Sequence, residues 1–163
     1  MIIFLKNKHT LQVDDFYFKC CIGQNGLTTK KVEGDNKTPI GLYALGPLYY
    51  RKEKFTHLST KLKKIQIKKN MGWCDDVNSK LYNKPIKTNT QFRHEKLYRN
   101  DRKYDLLIPI KYNFIKPKIN KGSAIFLHLT NNYKKTKGCI AIKEKDMLIL
   151  LRLINKKTKI KIN

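Results

Sequence analysis

The sequence predicts a mainly β protein with a single principal helix. Most of the chain falls into short β-rich runs closed by Gly, Pro, Asn or Asp, which is the pattern of strands and turns. One stretch alone carries helical spacing: within 144–155, Met147, Leu148, Leu151 and Ile154 recur at i, i+1, i+4 and i+7, with Ile149, Leu150 and Leu153 widening the face. At 40% hydrophobic and 10% aromatic the composition is one that folds. A length of 163 residues fits one domain, 1–163, and leaves little room for a second.

Taken in order, residues 2–5 (Ile-Ile-Phe-Leu) read as the first strand. Residues 16–22 are aromatic and β-compatible, and end at Gly23 and the turn pair Asn25-Gly26. Residues 33–37 are a turn cluster, after which Thr38-Pro39-Ile40-Gly41 leads into a short strand at 42–45 closed by Gly46-Pro47. Residues 61–69 alternate imperfectly around Leu62, Ile65 and Ile67 and read as an edge strand guarded by Lys. Residues 71–83 have loop composition. Residues 104–112 read as a buried strand whose Pro109 suggests an edge or bulge. Residues 123–129 and 140–142 read as two more buried strands. Lys alternates with Ile over 158–162, the expected last strand. There are no internal repeats and no flexible linker.

The 36 Lys+Arg against 12 Asp+Glu give a net charge of +24, which predicts attraction to polyanions such as nucleic acid, anionic lipid or wall polymers. Only 5 of those 36 bases are Arg (positions 51, 93, 99, 102 and 152), leaving 31 Lys. Specific base and phosphate readout favours Arg forks, so this excess argues against sequence-specific nucleic-acid recognition. A coding bias toward A and T would produce the same excess. Tyr49-Tyr50-Arg51-Lys52 mixes aromatics with bases as single-strand platforms do, but reads better as a strand end.

The four cysteines, Cys20, Cys21, Cys74 and Cys139, form no CxxC, and the adjacent pair is poorly placed to bridge. No disulfide framework, metal site or cofactor is expected. The apolar run at 2–5 is shorter than the ~7–15 residues of a signal-peptide core, and no stretch approaches the ~20 residues of a membrane span. The expectation is a monomeric, reduced, cytoplasmic protein, or one of the cell envelope if an export segment precedes it.

The chemistry concentrates in Gly122-Ser-Ala-Ile-Phe-Leu-His128, a loop, and Thr136-Lys-Gly-Cys139. An apolar strand ends in His128, and a small Gly-preceded Cys139 opens the next strand, so the two meet at one sheet edge. A thiolate is the nucleophile, and a neighbouring His is the usual way to generate it near neutral pH. Gly138 allows a tight approach, and the amides of Gly138 and Cys139 would face a developing oxyanion. Trp73, Tyr82 and Asn83 are candidates to line the cleft beside Asp75 and Asp76. His57 and His94 have no companions at ligand spacing, and Cys74 reads as structural.

The His-loop-[Ser/Thr]-x-Gly-Cys arrangement resembles the L,D-transpeptidase catalytic domain of YkuD type. Residues 26–45, with Lys31-Val32-Glu33-Gly34-Asp35 and Thr38-Pro39-Ile40-Gly41, resemble that family's N-terminal signature. Gly72-Trp73-Cys74-Asp75-Asp76, Tyr82-Asn83 and 122–128 resemble a compact subgroup without accessory domains. The resemblance runs over roughly 16–155.

It implies a mainly antiparallel β sandwich or barrel with one helix after the catalytic strand. It also implies an enzyme without cofactor or metal. Cys139 would attack the L-centre–D-Ala amide of a peptidoglycan tetrapeptide stem. His128 would move the proton, oriented by the Leu129 carbonyl, and the resulting thioester would pass to an amine acceptor or to water. Thr136 and Lys137 would contact substrate. Two positions depart from the family pattern: Lys137 where His is frequent, and Ala141 where Arg or Asn is frequent. Lys137 would hold a stem carboxylate or lower the Cys139 pKa. The partners expected are peptidoglycan stems or muropeptides. The alternatives are a cytoplasmic L,D-carboxypeptidase trimming recycled muropeptides, a nonspecific polyanion-binding protein, and a catalytically silent wall-binding relative.

Overall fold

The structure, a computed structural model, describes all residues Met1–Asn163. Strands β1 (Ile2–Lys6), β2 (Thr10–Val13) and β3 (Phe16–Cys21) form an antiparallel meander. Its two hairpins turn on Asn7 and Lys8 (φ +43° and +64°) and on Asp14 (φ +47°), the left-handed region that Asn and Asp tolerate best among residues with a Cβ. Next come β4 (Leu27–Thr28), β5 (Thr38–Pro39), β6 (Gly41–Ala44), β7 (Leu48–Tyr50), β8 (Lys64–Gln66), β9 (Met71–Cys74), β10 (Pro85–Lys87) and β11 (His94–Lys96). The chain closes with β12 (Leu106–Pro109), β13 (Phe126–Leu129), β14 (Ile140–Ile142), α1 (Glu144–Leu153) and β15 (Lys159–Ile162).

Ten strands make one curled sheet, a half-barrel, in the order β6-β15-β1-β2-β3-β14-β13-β12-β7-β8. A three-stranded sheet, β10-β9-β11, and a β4-β5 ribbon complete the fold. Most pairings are antiparallel, as expected, but β1–β15, β13–β14, β7–β8 and β4–β5 are parallel.

The two-residue period of the strands sorts the side chains. Ile3, Leu5, Leu11, Val13, Phe18, Ile160 and Ile162 enter one core with Met147, Leu150 and Leu151 of α1. Phe4, Lys6, Tyr17, Lys159 and Lys161 point to solvent. Each aliphatic side chain in this core stabilises the fold by roughly 1.5–3 kcal/mol. Central strands β12, β13 and β14 are buried on both faces, which is why they read as continuous apolar runs. Their second face meets a smaller cluster around Trp73, Phe126, Tyr104 and Leu107, and this cluster includes Cys139. Glu144 and Asp146 in the first turn of α1 and Arg152 in the last oppose the helix dipole.

Two expectations need correction. Residues 71–83 are not all loop: Met71–Cys74 is the central strand of the small sheet, where a Cβ on Gly72 would lie 2.8 Å from the His94 ring. Pro109 belongs to an interior strand. It is tolerated there because it ends β12 where the pairing with β7 has already stopped, and its carbonyl still accepts the Gly46 N–H at 2.7 Å. The stretch Tyr49-Tyr50-Arg51-Lys52 is a strand end, as expected: Tyr49 is core in β7, and Arg51 is buried over the Tyr98 ring at 3.4 Å.

Candidate active site

The parallel register of β13 and β14 pairs His128 with Ala141 and Leu127 with Ile140. Side chains two residues apart on a strand share a face, so Cys139, Ala141 and His128 all look to the same side of the sheet. That side opens into a cleft of about 1000 Å³ lined by both Cys139 and His128. Of its 25 lining residues only 5 are hydrophobic, so it suits a polar, charged ligand rather than an apolar one.

The turn carrying Cys139 is held by hydroxyls. Thr136 Oγ1 donates to the Cys139 carbonyl at 2.6 Å and accepts the Gly138 N–H at 3.1 Å. Thr38 Oγ1 donates to the Gly138 carbonyl at 2.8 Å and accepts the Gly23 N–H at 2.9 Å. Gly138 has φ +132°, and a Cβ there would stand 2.8 Å from the Lys37 carbonyl oxygen, so only glycine fits.

Cys139 is buried, and its thiol donates to the Ala124 carbonyl at 3.2 Å while accepting the Phe126 N–H at 3.3 Å. Burial pushes its pKa up to about 12, against the opposing pull of the Phe126 amide and the Lys31 charge. At rest it is therefore a thiol. His128 is buried too, and burial pulls its pKa down to about 4. Its Nδ1 lies 2.9 Å from the Leu129 carbonyl. A carbonyl only accepts, so Nδ1 carries the proton and Nε2 is left as the base. The Leu129 peptide is itself fixed, its N–H donating to the Lys103 carbonyl at 2.9 Å. Tyr104 packs edge-on against the imidazole at 5.2 Å between centroids and donates to Glu95 at 3.1 Å.

The residues singled out from sequence divide in three. Cys139, His128, Thr136, Lys137 and Leu129 all line the cleft. The Gly138 amide does not face it as a free donor, because Thr136 already accepts its proton; the Cys139 N–H is the amide left without a protein acceptor. Trp73, Tyr82 and Asn83 do not line the cleft: they are buried behind its wall. Asn83 Oδ1 accepts from Trp73 Nε1 at 2.8 Å and from the Ala124 N–H at 3.0 Å, and its Nδ2 donates to the Tyr112 and Asn113 carbonyls. This hub holds Ala124 at φ +51°, with its carbonyl on the Cys139 thiol. Lys137 sits exposed at the rim and is not among the charges that set the Cys139 pKa; the cation that acts there is Lys31.

Sequence reasoning missed the wall formed by Glu95, Arg99, Asp101, Lys103 and Tyr104. Its signal was the mixed-charge stretch 93–105, which holds three of the five arginines. No group of three or more His, Cys, Asp or Glu side chains is placed to hold a metal ion. All four cysteines are free and buried. No helix is long and apolar enough to cross a membrane.

The half-barrel brings a cysteine and a carbonyl-oriented histidine to one polar cleft, the pair of groups that cysteine-based acyl transfer can use. The chain belongs to the YkuD family: the L,D-transpeptidase catalytic domain matches it over residues 2–162. Among solved structures it is similar to the helical cell shape determining protein Pgp2 from Campylobacter jejuni. A lysine-to-alanine mutant of Pgp2 gives a TM-score of 0.54 at 18% identity, and another Pgp2 structure gives 0.52 at 17%. Each match covers 99% of this chain and 46% of the other, so the chain spans about half the length of those proteins, and the likeness is one of fold. No curated protein sequence matches the chain.

Proposed function

We propose that the protein is a cysteine-dependent L,D-transpeptidase acting on peptidoglycan tetrapeptide stems. The observation that carries this reading is the pair of Cys139 and His128 in one cleft, with Nδ1 of His128 bound to the Leu129 carbonyl and Nε2 free. In the reaction His128 takes the thiol proton as Cys139 Sγ attacks the carbonyl before the terminal D-Ala. The tetrahedral oxyanion meets the unpaired Cys139 N–H. His128 then protonates the leaving D-Ala amine, and a thioester remains on Cys139. An amine of a second stem attacks the thioester, the C–N bond forms, the C–S bond breaks, and the proton returns to the thiol. The polar lining of the cleft and the free lysines at its rim, Lys134, Lys135 and Lys137, suit a peptide that bears carboxylates.

The test is mass spectrometry of the products from a defined disaccharide-tetrapeptide. The expected outcome is D-Ala release with a cross-linked dimer, both lost in Cys139→Ala. Tripeptide without dimer would assign the carboxypeptidase reaction instead. No D-Ala release, or full release by Cys139→Ala, would overturn the reading.

A further inference from the structure

In a chain with 36 Lys+Arg and 12 Asp+Glu, a carboxylate without a cation partner is unexpected. Four carboxylates line the cleft: Glu33, Asp75, Glu95 and Asp101. Asp75 pairs with Arg93 at 3.1 Å, and Glu95 and Asp101 pair with Arg99 at 3.0 and 2.6 Å. Glu33 forms no ion pair. Lys31, two residues away, is committed to Asp35. Glu33 is nevertheless held firmly: its Oε2 accepts from the hydroxyl of Tyr82 and from that of Ser123 at 2.7 Å. Both hydroxyl residues are more than nine-tenths buried, at 1% and 7% exposure. Its Oε1 makes no hydrogen bond within the protein. Ser123 precedes Ala124, whose carbonyl touches the Cys139 thiol at 3.2 Å, so the fixed carboxylate stands one peptide unit from the group that contacts the nucleophile.

A preorganised carboxylate with one oxygen satisfied, in the same cleft as the thiol, lacks a cation that the protein had every opportunity to supply, and the substrate is the remaining source. We propose that Glu33 is the ammonium-binding residue of the cleft, its free Oε1 taking the protonated amine of the peptide that accepts the acyl group. This inference rests on the transpeptidase reading and names the residue that steers it away from hydrolysis. The step balances: the acceptor R–NH3+ and the Cys139 thioester give the amide and the Cys139 thiol, one proton passing through neutral His128 to the sulfur and one leaving to solvent.

The experiment compares wild type with Glu33→Gln, which keeps the hydroxyl-accepting oxygen but removes the charge. The donor is a tetrapeptide stem whose side-chain amine is acetylated. The acceptor is a stem peptide with a free side-chain amine, and its acetylated form is the control. The ratio of transferred to hydrolysed product is expected to fall at least tenfold in Glu33→Gln and to recover in part in Glu33→Asp. An unchanged ratio, or acylation and transfer falling in parallel, would overturn the role. A second measurement needs no turnover: calorimetric binding of the acceptor to Cys139→Ala is expected to weaken at least tenfold when Glu33→Gln is added, while the acetylated acceptor distinguishes nothing. Equal affinity overturns the inference. A wild-type protein that forms no product contradicts the enzyme reading alone, and the binding comparison still decides Glu33.

Discussion

The Cys139 thiol donates to the Ala124 carbonyl while Nε2 of His128 makes no hydrogen bond within the protein, so in the proposed reaction proton transfer waits for a substrate that turns the sulfur toward the imidazole. Both groups are neutral at rest, with pKa values near 12 and 4 set by burial. This differs from a preformed thiolate–imidazolium pair and has a measurable consequence. The acid limb of kcat/KM for D-Ala release should centre near pH 4 rather than near the ordinary histidine value of 6.5. A midpoint near 6.5 would contradict the buried, neutral His128. Stability follows the same shift. Below pH 6.5 the unfolded chain protonates this histidine while the folded chain resists until about pH 4, so stability falls as pH drops through that window, by roughly 3 kcal/mol in all.

At this scale the Cys–His pair that shares the cleft is legible in the sequence and its supports are not. His128 and Cys139 announce themselves by chemistry. Asn83 and Trp73 looked like cleft residues because polar and aromatic side chains line clefts, yet their hydrogen bonds are satisfied inward, on each other and on Ala124.

At the scale of elements, the Thr136–Cys139 turn and the Thr38–Pro39 strand act as one piece. Thr38 Oγ1 reaches the Gly138 carbonyl across 100 residues of sequence. The Thr-Pro-x-Gly motif was visible in the sequence, but a contact that long has no signature in local spacing. Thr38→Val keeps the shape and removes the hydroxyl, leaving the buried Gly23 N–H and Gly138 carbonyl without their partner. Thermal unfolding should show a loss of about 1–3 kcal/mol, and kcat for D-Ala release should fall roughly ten- to hundredfold because the nucleophile turn is no longer fixed. Thr38→Ser should restore most of both. A Thr38→Val enzyme with wild-type kcat would show that the turn holds itself.

For the whole molecule, the single helix, the buried central strands and the Lys-guarded edge were all readable from period and composition. Strand order was not. Parallel pairs such as β1–β15 and β13–β14 join segments through long connections, and periodicity within a strand carries no information about its neighbour. Short strands such as Pro85–Lys87 and His94–Lys96 escaped because three residues are too few to show alternation, and pairing with Met71–Cys74 stabilises them. The +24 charge is spread over outward positions such as Lys159 and Lys161, while the proposed function draws on a few charges in the cleft, Lys31 and Glu33 among them.

The central claim, that Cys139 forms an acyl thioester with the help of His128, is tested most directly by the intact mass of the protein quenched in acid during turnover of a tetrapeptide stem. The expected result is a mass increase equal to the stem lacking D-Ala. It should map to Cys139, be absent in Cys139→Ala and form at least a hundredfold more slowly in His128→Ala. A stem-derived adduct on another residue, or D-Ala release with no adduct and no dependence on Cys139, would contradict it.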